Sequence, residues 1–517
     1  MIRIPAFLLL LATGLMAAPA PIPPEEVVIV YNQDVDRGKE LAEFYAVSRR
    51  IPPSNIVALS CTEKATIDRK TYEEKIRNPI RKKFIEAGWW TMGKNSQGIL
   101  APIKSSVRYL VVLKGMPLRI SRQKLPEGEE VPKTPHADKN EAAIDSELSF
   151  MGISDYPIGG PLPNPYFNKD HAFSNQPGFF QLLVGRIDAP TFEHCQRMIL
   201  DALDVEKSGL WGRAYVDFAN KGGNYAIGDQ WMEGISKLAL EAGIPTVVDK
   251  TKDTFVTNYP MTDAALYFGW YTQHRNGPFL NEKMTFKPGA IAVHLHSFSA
   301  AQLLNPAQNW SAGLIDRGAA ATLGNTWEPY LQLSHNFEIF FDRLLKGYTL
   351  VEASSMAMNA VSWQNIVIGD PLYRPFKVSA DQIKDFEKDL AFKALRLAQS
   401  KWPDPTEREQ ELVKATDRMK SGSFHEFFGY QALEAGDHEA AAKSFKQAGP
   451  LFKEPADKLR QLLNLVEIQR RKKETAVALQ ILRTAKASFK DLPEATAIDG
   501  LITILDPPAP PPAKKSK

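Results

Sequence analysis

From Glu26 to about Phe376 the chain alternates short β-rich runs with helical ones, and this alternation constrains the fold more than any other feature. EVVIVYN (26–32), the apolar run 56–60, RYLVVLKG (108–115), AYVDFAN (214–220), IPTVVD (244–249), ALYFGW (265–270), GAIAVHLHS (289–297), GAAATLG (318–324) and NIVIGDP (365–371) read as strands. Helical periodicity occupies 36–50, 229–242 and 336–345, and Ile51-Pro52-Pro53 ends the first of these. Strands alternating with helices predict an α/β region over 26–376, with a mainly parallel sheet covered by helices. The stretch 119–178, rich in Pro, Gly and charge, reads as an irregular insertion. From about residue 380 the β signals stop. Helix is expected to Leu505, followed by a proline-rich tail over 506–517.

Residues 1–20 read as a cleavable signal peptide. Arg3 supplies the positive charge, an apolar run follows to Met16, and Ala18-Pro19-Ala20 gives the small-residue pattern. Pro21 is a poor neighbour for cleavage there, so a cut after Ala17 or Ala18 is the alternative. The expectation is an exported protein, periplasmic or extracellular, with no membrane span in the mature chain. A net charge of +3 gives no case for nucleic acid. Cys61 and Cys195 are the two cysteines, too few for a disulfide framework.

In the helical part, Gly429, Gly436, Ala441, Phe445 and Ala448 fall at the small and aromatic positions of a tetratricopeptide repeat. A shift of 37 places Ala478, Leu482 and Ala485 under Ala441, Phe445 and Ala448. Residues 380–505 are therefore read as a tetratricopeptide-like array that docks a protein partner, the alternative being a generic helical bundle that uses Ala for packing. No oligomeric state and no cofactor are read from the sequence.

In open α/β sheets ligands bind beyond the carboxyl ends of strands. The phrases VLKGMPLRI, AAIDSELSF, VGRIDAPT, GNYAIGDQW, SFSA, GNTWEPY and GDPLYRPF are distinctive there. In combination they resemble an uncharacterised family of exported bacterial proteins found alongside exosortase sorting systems, a resemblance that implies export and no established activity. A more distant resemblance is to the caspase- and gingipain-like cysteine peptidases, which implies a nucleophilic Cys and a His at successive strand ends. The corresponding phrases here are YFGWYTQH and AVHLHSFSA. Trp270 stands at the His position, with His274 four residues on, and AVHLHSFSA has no Cys. A thiol–imidazole pair needs both partners.

Three arrangements of chemistry remain. Ser297 or Ser299 could act as nucleophile with His274 or His296 as base and Asp229, Glu328 or Asp370 as orienting acid; as plain turn residues, the serines would cap a helix. His294 and His296, two apart on a strand, face one side and could hold a metal with Glu328, though two histidines are a slender set and no metal is assigned. Trp270 and Trp327, with Trp231 and Tyr330, could wall a binding pocket whose polar groups come from Asp145, Glu147, Arg186, Asp229, Glu328 or Asp370; equally, the rings could be core and the charges paired. The sequence favours a non-catalytic binding or assembly factor of the cell envelope, with a divergent Ser/His/acid hydrolase as the alternative.

Overall fold

The computed structural model describes residues 19–95, 98–125, 136–154, 156–173, 181–378, 382 and 387–508. The signal-peptide reading falls almost wholly outside these residues, as does most of the proline-rich tail.

The principal strands are Val27–Asn32 (β1), Ile56–Leu59 (β2), Tyr109–Leu113 (β3), Leu183–Ile187 (β4), Arg213–Asp217 (β5), Thr246–Asp249 (β6), Ala264–Trp270 (β7), Ile291–Leu295 (β8), Thr322–Asn325 (β9) and Asn365–Ile368 (β10). They form two sheets, ordered β6-β5-β7-β8 and β9-β10-β4-β3-β1-β2. The sheets meet at a parallel bridge between Ile291 and Ala321, at the head of β9. Neighbours within each sheet are parallel, except β9 and β10, which pair antiparallel with Asn325 opposite Asn365. Thus β5–β9 run one way and β1–β4 with β10 run the other. The carboxyl ends of the two halves lie at opposite edges, so strand-end residues gathered by the sequence reading are split between two places.

Helices Gly38–Arg49 (α1), Asn78–Glu86 (α2), Ile144–Leu148 (α3), Phe192–Ser208 (α4), Ala226–Glu241 (α5), Ser311–Asp316 (α6), Phe337–Leu345 (α7) and Leu350–Ala357 (α8) accompany the sheet. One apolar core joins both halves of the sheet to α1, α4, α5, α7 and α8. A second lies between β1–β3, α2 and α3. Strands β1, β3, β5, β7 and β8 are buried at every position, which is why they read as continuous apolar runs rather than alternating ones. The strand β4 is absent from the sequence reading, because Gly185 and Arg186 interrupt its apolar run; Arg186 is tolerated there only through an internal ion pair. Within the expected insertion, Arg119–Ile120 and Ala142–Ala143 form short strands and α3 is helical.

Seven α-helices follow among the described residues: Leu390–Lys401 (α9), Pro405–Met419 (α10), Gly422–Glu434 (α11), His438–Leu451 (α12), Pro455–Arg471 (α13), Thr475–Ser488 (α14) and Thr496–Leu505 (α15). Ala441, Phe445, Ala448, Ala478, Leu482 and Ala485, the positions related by the 37-residue shift, are all buried. A Cβ at Gly429 would lie 2.4 Å from the Phe445 ring, so glycine permits the close approach of α11 and α12. Helix α11 buries eight residues and α13 nine, whereas α12 and α14 bury three each. Helices α11 and α13 are therefore the inner ones, with α12 and α14 packed outside them. The inner face of these helices is lined by the segment 254–262 of the chain itself. There Thr262 Oγ1 donates to Asp457 Oδ1 at 2.5 Å and Asn258 Nδ2 to Thr496 Oγ1 at 2.7 Å. Val256 and Tyr259 pack among Leu459, Leu463 and Ile498. Among the described residues no helix is long and apolar enough to cross a membrane.

Candidate functional site

The edge where β5–β9 end gathers Asp229, Trp270, His274, His296, Ser297, Trp327 and Glu328. Trp270 closes β7 and is 2 % exposed. Its Nε1 donates to Asp229 Oδ1 at 2.9 Å, and the Ala219 amide donates to the same oxygen at 3.0 Å. A Cβ at Gly228 would meet the indole at 2.5 Å, so this glycine makes room for it. Trp270 is thus packing that anchors α5 to β7, and Asp229 is held by that anchor.

His294 lies inside the protein. Its ring stacks on Trp310 with centroids 3.6 Å apart. The Thr272 amide donates to Nε2 at 3.2 Å, so the ring proton belongs on Nδ1, which is 2.9 Å from Tyr267 Oη. Tyr267 in turn donates to Asp217 Oδ2 at 3.2 Å. Burial holds His294 well below the usual imidazole range, so it is neutral. With both nitrogens engaged, it cannot join His296 as a metal ligand, and among the described residues no cluster of three His, Cys, Asp or Glu could hold an ion. Asp217 leaves Oδ1 buried without a partner, and burial followed by the charge of Asp249 pushes its carboxyl well above the ordinary range. The sequence reading passed over Asp217, although AYVDFAN places an aspartate at a strand end.

His296 Nδ1 lies 2.6 Å from the carbonyl oxygen of Ser297, which commits that nitrogen to the backbone. Burial lowers its pKa, against the Ser297 carbonyl and the charge of Glu328, which raise it. His274 is exposed, and its Nδ1 accepts the Asn309 amide at 3.4 Å. Ser299 Oγ accepts the Asn325 amide at 3.0 Å, while the Ser299 carbonyl accepts the Trp310 and Ser311 amides at the start of α6. Ser299 therefore pins a turn. No hydrogen bond among the described residues joins either imidazole to the hydroxyl of Ser297 or Ser299. Glu328 is exposed beside them.

Aromatic residues rim this edge under backbone strain. Phe298 has φ 61° and Tyr330 has φ 63° and ψ 143°, conformations that disfavour bulky side chains by ~1–3 kcal/mol each. Phe298 is 37 % exposed and meets Trp327 edge-on, with centroids 6.3 Å apart. Arg119 lies 4.0 Å over Trp327 and donates to the Thr326 carbonyl at 2.7 Å. Tyr271 and Tyr225 bring their hydroxyls to 3.2 Å on the other side. Phe298, Tyr271 and Arg119 were missed from sequence, and only a backbone angle marks Phe298.

Of the charged residues proposed to line a pocket, Asp145, Glu147, Arg186 and Asp370 are bonded internally instead. Arg186 makes a bidentate pair with Asp145 at 3.0 and 2.6 Å and donates to the Met116 and Pro117 carbonyls. Glu147 accepts from Arg69 at 3.0 and 3.2 Å, from Tyr156 at 2.7 Å and from Ser362 at 2.6 Å. Asp370 lies at the opposite edge, beyond β10, and accepts from Tyr45 at 2.8 Å and Arg49 at 2.7 Å. The physical reason is that buried charges require partners, and sequence displays the residue without the partner. Cys61 and Cys195 are separate buried thiols.

No protein-family model matches the chain, so the resemblances to the exported bacterial family and to tetratricopeptide repeats rest on the sequence phrases. No curated protein matches either. A solved structure titled "Structure of Protease" is similar at 11% identity, covering 69% of this chain and 80% of that chain, with a TM-score of 0.34. A likeness at that level carries no argument about chemistry.

Proposed function

We propose that this chain is an exported binding or assembly factor of the cell envelope, using the aromatic strand-end edge as its contact site and lacking a catalytic nucleophile. The observation that carries this reading is the uncoupling of the serines from the imidazoles: His296 is turned to a carbonyl, and Ser299 to an amide. Without a base in reach, a serine hydroxyl is a weak nucleophile. The strained, exposed Phe298 beside Trp327 supports a contact role, because strain of that kind persists where function selects it. A fluorophosphonate probe is expected to leave the wild-type chain unlabelled. Labelling that disappears in Ser297→Ala would establish the hydrolase alternative, which the strained turn directly after Ser297 favours.

Export rests on the signal-like segment 1–20. Retention of Pro19 in the mature chain is supported by Arg374, which donates to the carbonyls of Pro19 and Ala20 at 2.5 and 2.6 Å. Mass spectrometry of the exported protein should find Pro19 as its first residue; a start at Pro21 would refute the cut after Ala18. A partner of the helical region would meet the outward faces of α12 and α14, since the segment 254–262 lies across the inner face.

A further inference from the structure

A cleft opens between β6, the segment after it, and helices α13 and α15. Val256, Tyr259, Leu463, Leu501 and Leu505 give it an apolar wall, and Asp249 lines it as well. Among the described residues the Asp249 carboxylate accepts only from the amide and hydroxyl of Thr251, at 2.8 and 3.1 Å. Among the described residues no cation lies within ion-pair distance of it. Arg470, also on the wall, is held by Glu467 through two contacts at 2.6 and 2.8 Å. The cleft therefore combines an apolar body with a carboxylate that has no ion-pair partner among the described residues.

We propose that this cleft binds a short primary amine on an apolar stem. An ammonium brings three N–H donors and a positive charge to Asp249, while the stem covers the leucine and valine surface. Pockets that select small molecules have this composition, apolar walls with a few placed polar groups. A carboxylate ligand of the same shape meets Asp249 and Glu467 with like charge. A neutral alcohol gains the apolar contact but no ion pair, and charge-assisted hydrogen bonds are the stronger ones. Burial, helped by the charge of Glu467, already pushes the Asp249 carboxyl up to about 7, against the hydrogen bonds from Thr251 and the charge of Arg470.

The test is a titration of the full chain at pH 8 with isoamylamine, isoamyl alcohol and isovalerate, followed by calorimetry and saturation-transfer NMR. Isoamylamine is expected to saturate and to bind about tenfold tighter than the alcohol, with isovalerate weakest. Asp249→Asn should bring amine and alcohol to equal affinity, and Leu501→Trp, which fills the cleft, should weaken both. The proposal is overturned if the amine does not saturate, if it binds no tighter than the alcohol, if Asp249→Asn keeps the preference, or if Leu501→Trp changes nothing. Should Asp249→Asn fail to fold, carbon-13 titration of the wild-type carboxyl decides. A midpoint lowered by the amine supports the site, and an unmoved midpoint refutes it.

Discussion

Asp217 and Asp249 sit opposite one another at the ends of β5 and β6, and neither has an ion-pair partner among the described residues. Both carboxyls titrate above the ordinary range, mainly because burial disfavours the charged form. A raised carboxyl pKa means the unfolded chain releases its proton first. The stabilising contribution is then complete below the unfolded value near 4 and, for Asp249, is lost as pH rises to about 7. Asp249→Asn should therefore stabilise the protein at pH 8 by ~1–3 kcal/mol and leave it unchanged at pH 4, as measured by urea unfolding at both pH values. Phe298 offers a second residue-level test. Phe298→Gly relieves the left-handed backbone of a ring that is 37 % exposed, so stability should rise by ~1 kcal/mol in thermal unfolding. The same substitution should weaken any contact made by the aromatic edge.

At the scale of elements, helix α11 depends on the absence of a side chain at Gly429. Gly429→Ala drives a methyl into Phe445, which should cost ~1–3 kcal/mol. Adding Phe445→Leu should recover part of that loss, and the double-mutant cycle measures the coupling. Helix α8 begins with a capping box, in which Thr349 Oγ1 accepts the Glu352 amide while the Glu352 carboxylate accepts the Thr349 amide. Thr349→Ala should destabilise by ~1 kcal/mol, read as a shift in the urea midpoint with no change of slope. The hairpin that Gly429 and Phe445 close was legible in sequence, whereas helix α8 was not read there. The repeat register from Ala441 to Ala485 is local spacing, and the structure buries every position it names. Strand β4 was not legible, since Arg186 looks like surface until Asp145 is brought against it from 41 residues away.

Across the whole molecule, one buried charge network joins the sheet to the helices. Glu426 on α11 takes Arg213 of β5 at 2.7 Å and Arg460 of α13 at 2.7 Å. Arg460 also pairs with Asp457. Removing the shared carboxylate leaves two buried guanidinium groups with less than their counter-charge, and such losses amount to ~3–5 kcal/mol. Glu426→Ala should show that loss in equilibrium unfolding, with Leu412→Val, in the same core, losing only ~1 kcal/mol as the apolar control. Because Tyr215, Tyr267, Phe427 and Leu465 share one core, the sheet and helices should melt in a single calorimetric transition.

The class of the fold, nearly all the principal strands and the spacing of the helical hairpins could be read along the chain alone. These follow from periodicity and from apolar runs, which are properties of neighbouring residues. Tertiary structure alone decided that the two halves of the sheet run in opposite directions, which separates Asp370 from Trp327. It also decided that Arg186, Glu147 and Asp145 are internal braces, and that the segment 254–262 lies across the inner face of the helices. Each of those facts depends on which distant residue supplies a partner, and the low cost of a buried charge or a covered groove exists only once that partner is in place.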